Sequence, residues 1–153
     1  MADERVPALG TLQVPDDWDA ELEVLLRARP REPVPQLAAR AGTVKDPPAP
    51  TLIVQRRRGG ADAASWLQTF LERSAQTTRG MSAAPDGELS FDDGVRARAM
   101  RVTLDTAPPV VQVHVARVDA GVVTHFVAAS AAGDDGGMAA LLAVLRSWRP
   151  PPA

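Results

Sequence analysis

The chain has 153 residues and a net charge of −2, which fits one domain with its own hydrophobic core and lacks the cationic surplus that nucleic acid binding needs. It contains no cysteine, so disulfides, thiolate nucleophiles and cysteine-based metal sites are excluded. No apolar run approaches the ~18 residues that would span a membrane.

The first nine residues are charged and lead into no apolar run, so they read as a tail rather than a secretory leader, and a cytoplasmic location is expected. Residues 10–14 read as a short strand and Pro15-Asp16-Asp17 as a turn, with Trp18 as a lid over one end of the core. Residues 20–28 alternate as a strand, Leu22, Val24 and Leu26 opposing Glu21, Glu23 and Arg27. Residues 29–50 hold six of the 14 prolines and read as an exposed loop; a loop of that length is usually mobile or functional. A further strand over 51–57 ends in Arg56-Arg57-Arg58. Such a cluster can grip phosphate or carboxylate, though a solvated strand end explains it as well.

Asp62 caps the first predicted helix, where Ala63, Trp66, Leu67, Phe70, Leu71 and Ser74 fall on one face. A strand meander follows. Asp93-Gly94 is a two-residue hairpin signal, joining a short strand over 88–92 to a longer one over 95–104. The longer strand switches its apolar phase between Ala99 and Met100, which requires a bulge or burial on both faces. Strands over 110–118 and 122–130 are rich in β-branched residues. Asp134 or Asp135 caps the last helix, with a stripe of Met138, Leu141, Leu142, Leu145 and Trp148, and Pro150-Pro151-Pro152 ends it. The expected fold is a single α+β domain over 10–150, with tails at 1–9 and 151–153. Its antiparallel sheet of about six to seven strands packs with two amphipathic helices.

The chemistry-bearing residues do not assemble into a catalytic motif. No serine elbow, phosphate loop or dinucleotide fingerprint occurs. His114 and His125 share a sheet face if the loop between their strands has two residues and lie on opposite faces if it has three. No third ligand stands at metal-binding spacing. The acidic pairs Asp16-Asp17, Asp92-Asp93 and Asp134-Asp135 fall at turns or a helix start, where aspartate accepts backbone hydrogen bonds. A non-enzymatic protein with no cofactor and no metal is therefore expected. The meander face left free by the helices would present Gln112, His114, Arg117, Thr124 and His125 among Val123 and Val127. That mixture of aliphatic and polar groups suits a partner's helix; the alternative is that the Pro-rich segment packs over it.

The opening Gly10-Thr11-Leu12-Gln13-Val14-Pro15-Asp16-Asp17-Trp18 resembles the strand, Leu/Val-Pro-x-x-Trp turn and strand of DcrB-like proteins, which share the PsbP-like sandwich. The first helix, the Phe91-to-Leu104 strand, two further strands and the terminal helix ending in Arg146-Ser147-Trp148-Arg149-Pro150 follow in the same order. The resemblance covers about residues 10–150, and the Pro-rich segment 29–50 is longer than the pattern. Leaderless members include the Eag-type adaptor chaperones of type VI secretion, which hold the hydrophobic N-terminal helices of toxin effectors. What the resemblance implies is a cytoplasmic, dimeric adaptor for a protein partner. The other expectation is a structural accessory subunit that docks on a larger bacterial assembly through the Pro-rich loop and arginine cluster.

Overall fold

In the computed structural model the described residues are 2–6, 10–15, 18–21, 25–28, 49–58 and 62–152. Asp16-Asp17, Gly59-Gly60 and nearly all of the Pro-rich segment lie outside them, as does the side chain of Trp18.

The body is an α+β sandwich built on antiparallel strands β5 (Thr51–Arg58), β6 (Met81–Ser90), β7 (Arg96–Leu104), β8 (Val110–Asp119) and β9 (Val122–Ala131), in the order β5-β9-β8-β7-β6. The ladder runs on from β5 through β4 (Leu25–Ala28) to β3 (Trp18–Glu21). The single alternating strand expected over 20–28 is thus a pair of short strands, with no glycine, proline or asparagine to mark the reversal. Strand β2 (Gly10–Val14) stands outside this sheet and pairs with β1 (Ala2–Val6), which occupies the expected N-terminal tail.

The two helices sit on opposite faces of the sheet. Helix α1 (Ala63–Thr77) packs on β8, β6 and β7, whereas α2 (Asp135–Arg146) packs on β9, β5 and β2. The period-two alternation of the strands therefore feeds two cores. Ala97, Ala99, Val113, Val115, Phe126 and Ala128 meet α2 through Met138, Leu141, Val144 and Leu145, with Trp148 just beyond it. Val102, Ala116 and Val123 meet Leu67 and Leu71 of α1. This accounts for the phase switch in β7: Ala97 and Ala99 point into one core, and Met100, Val102 and Leu104 into the other. The strand is covered on both sides, and the irregularity in the ladder falls on its partner β6, between Pro85 and Glu88.

Helix ends and turns follow local chemistry, with one correction. Asp62 accepts from the backbone of Ala64 at 3.1 Å, and Asp134 accepts from Gly137 at 2.9 Å, so each satisfies an amide that the helix cannot. Between β8 and β9, Ala120 and Gly121 both adopt positive φ, 50° and 76°, as a two-residue hairpin requires. The Asp93-Gly94 turn differs. Only Gly94 is left-handed, at φ 88°, and bonds from Gly94 N to Phe91 O and from Phe91 N to Val95 O make a longer loop in which Asp93 keeps ordinary φ. Strand β6 also begins seven residues earlier than the short strand expected at 88–92. Pro85 is tolerated there because β6 is the edge of the sheet, and its turn-like composition concealed the strand.

The C-terminus is tied back by β2. Thr11 and Arg149 exchange backbone bonds of 3.0 and 2.9 Å, and Gln13 N donates to Ser147 Oγ at 2.9 Å. Gly10, at φ 103°, lies so close to the Arg149 carbonyl and the Trp148 indole that a Cβ would collide with both.

Candidate functional site

Helix α1 is held by a shallow contact. Of its apolar stripe only Leu67 and Leu71 are fully buried, while Ala63, Trp66 and Phe70 are half-buried. Burying two leucines is worth about 3–6 kcal/mol in transfer terms, less than the five large side chains that anchor α2 and its C-terminal turn. The helix therefore leaves apolar surface on both flanks.

Beneath α1 lie the two histidines. The two-residue β8–β9 loop places them on the same face as diagonal neighbours, with His114 Nδ1 2.9 Å from His125 Nε2. His114 Nε2 donates to Gln112 Oε1 at 2.8 Å. In the neutral pair, His125 Nε2–H then donates to His114 Nδ1. His125 Nδ1 is left as a buried acceptor without a partner among the described residues. Trp66 and Phe70 close over the pair, their ring centroids 5.1 and 4.7 Å from that of His125. Burial pulls both imidazoles down, His114 to about 4 and His125 to about 3; His114 and Arg57 add repulsion against a charged His125. At neutral pH the pair is uncharged and sealed, which suits packing rather than proton transfer.

On the other face, Arg117 lies within the α2 core and is 3% exposed. Its Nε and Nη2 donate to Asp119 at 2.7 Å each, and Nη1 and Nη2 donate to Asp93 at 3.2 and 2.9 Å. Its guanidinium stacks 4.6 Å from the centroid of Phe91 and 5.0 Å from that of Trp148. Burial alone would lower the Arg117 pKa, but the bonds to Asp119 and Asp93 outweigh it and hold it above its ordinary value. The same bond from Arg117 holds Asp93 below the usual carboxylate range.

These positions correct the expected partner surface. Gln112, His114, Val123, His125 and Val127 share the α1 face, but His114, Val123 and His125 are buried. Thr124 is also buried; Arg117 and Thr124 point to the opposite face, where Thr124 accepts from Arg56 Nε at 3.3 Å. Among the described residues these positions form no free face, because one helix packs on each side of the sheet. Gln112 and Val127 alone keep partial exposure.

The accessible surface lies on the flanks of α1. One groove, of about 410 Å³, runs between α1 and the β6–β7 pair. Ala64, Leu67, Leu71 and Ala75 form its helical wall; Ala83, Pro85 and Met100 form its sheet wall; Gln68, Glu72 and Arg98 stand at its rim. The helical wall spans twelve residues, or about 16 Å. A second hollow, of about 490 Å³, lies between the opposite flank and the end of β5. Sequence reasoning missed both, because each joins residues distant along the chain. The signal within reach was the small residues Ala64 and Ala75 beside the leucine stripe. Among the described residues no helix is long and apolar enough to cross a membrane, and no three potential ligands cluster to hold a metal.

No family model and no curated protein matches the chain. Among solved structures it is similar to the crystal structure of LpqN of Mycobacterium tuberculosis, a protein involved in cell envelope biogenesis. The TM-score is 0.55 and the identity 19%, over 99% of this chain and 90% of that one. At that identity the likeness is one of fold.

Proposed function

We propose that the chain is a non-enzymatic protein-binding adaptor that receives an apolar helix of a partner in the groove between α1 and the β6–β7 pair. The observation that carries this reading is the groove itself. Ala64 and Ala75, on either side of the buried Leu67 and Leu71, face a proline, an alanine and a methionine, with Gln68, Glu72 and Arg98 also lining the groove. Small residues on both walls admit a close-packed helix, and methionine adapts to varied side chains. The sealed histidine pair and the structural Arg117 leave little for catalysis to use, which supports binding over chemistry. The resemblance to DcrB-like and PsbP-like proteins supplies the occupant: a hydrophobic N-terminal helix of a type VI secretion effector, held in the cytoplasm by a homodimeric chaperone until export. Such a helix aggregates unless its apolar face is covered.

The test is co-expression of the chain with effectors encoded beside it, followed by co-purification. Ala75→Arg and Ala83→Arg fill the groove from two exposed positions and should abolish capture without changing the melting temperature. Capture unaffected by both variants would refute the groove as the site.

A second reading, an accessory subunit of a larger bacterial assembly, is favoured by the exposed Arg57 at the end of β5. The description of LpqN as involved in cell envelope biogenesis offers the envelope as a place for that assembly. Deleting residues 29–50 should then abolish docking, whereas groove variants should not.

A further inference from the structure

The second hollow carries a different ligand chemistry from the groove. Its polar wall is cationic: Arg57 from β5 and Arg73 from α1 both line it, both are exposed, and neither forms an ion pair with another described residue. Its apolar wall is aromatic. Trp66 and Phe70 stand one helical turn apart with rings nearly parallel, at a centroid distance of 5.4 Å and an interplanar angle of 12°. Thr69 adds a hydroxyl to the lining. The carboxylate of Asp62 also borders the hollow, but its oxygens are engaged by the Ala64 amide and the Ser65 hydroxyl, so it is turned toward the helix start. The volume of about 490 Å³ lies in the ordinary range for small-molecule sites.

Two guanidinium groups without a carboxylate partner among the described residues, set beside a pair of stacked rings, select for an anion joined to a flat body. Arginine forks match carboxylate and phosphate oxygens bidentately, and a half-buried aromatic pair gains from stacked or edge-to-face contact with a further ring. We propose that this cleft binds a small aryl anion, its charged group held between Arg57 and Arg73 and its ring laid against Trp66 and Phe70. The site stands on the opposite flank of α1 from the groove, and its occupancy does not depend on the adaptor reading.

The probes are phenyl phosphate, inorganic phosphate and phenol, each titrated into the full chain by calorimetry. Phenyl phosphate should saturate one site and bind at least 10-fold more tightly than either fragment. Arg57→Gln and Arg73→Gln should each weaken it at least 10-fold while leaving the melting temperature unchanged. Trp66→Leu should weaken phenyl phosphate and leave any inorganic phosphate binding alone. Absence of saturable phenyl phosphate binding, equal affinity for inorganic phosphate, or indifference to both arginine variants would each overturn the proposal.

Discussion

Replacing Arg117 by methionine tests whether this residue is a structural post rather than a contact for partners. The substitution keeps most of the aliphatic stem and removes four hydrogen bonds to Asp93 and Asp119. Breaking a buried ion pair from one side costs about 3–5 kcal/mol when the remaining charge is stranded. Here the stranded carboxylates are not sealed, since the side chains of Asp93 and Asp119 are 28% and 20% exposed. Water reaches them, so the lower end applies, about 3 kcal/mol. Loss of the stacking on Phe91 and Trp148 adds about 1 kcal/mol. A total near 4 kcal/mol lowers the melting temperature of a domain this size by roughly 10 °C. Thermal melts followed by far-ultraviolet circular dichroism give the number directly. Adding Asp93→Asn and Asp119→Asn to the methionine variant should recover part of the loss, because no uncompensated charge remains. A single variant that melts within 2 °C of the wild type would refute the reasoning and return Arg117 to the surface.

Acid should weaken the fold through the histidine pair. Both imidazoles have depressed pKa values in the folded state, so the unfolded chain binds more protons below its ordinary pKa of about 6.5. Their contribution is complete above that pH and is lost as pH falls toward 4, by up to about 3 kcal/mol per pH unit for the two together; urea midpoints measured between pH 7 and 5 should fall accordingly, and His114→Gln with His125→Gln should flatten the slope. Gly10→Ala should cost about 2 kcal/mol, from strain at positive φ and collision with the Arg149 carbonyl and Trp148, and hydrogen exchange should speed up at the Thr11 and Arg149 amides. Leu141→Ala, at a fully buried position in the α2 core, should cost about 3 kcal/mol, readable as a shifted denaturation midpoint. Asp62→Ala removes the α1 cap and should cost about 1 kcal/mol; because α1 roofs the histidines, it should also raise the solvent exchange of their ring protons.

The helices, the meander and their capping residues were legible along the chain because each depends on neighbours within a few positions. Asp62 and Asp134 cap the amides that follow them, and the stripes of Leu67 and Leu71, or of Met138, Leu141 and Leu145, repeat at the helical period. The valine-rich β8 and β9 declare themselves through side-chain branching. Even the phase switch at Ala99 and Met100 carried correct information, since it is the mark of a strand covered on both sides. The early start of β6 and the split of 20–28 into two strands were not legible, and neither were features set by distant residues. The face to which each helix is carried depends on the path of the connections, and that path decided that His114, His125 and Thr124 would be buried. Whether Arg117 meets water or carboxylates depends on Asp93, 24 residues away on another hairpin. The hollows beside α1 arise from how deeply a helix seats, which is set by the whole layer beneath it. Local periodicity writes secondary structure into sequence, but exposure is a property of the assembled layers, and the candidate sites belong to those layers.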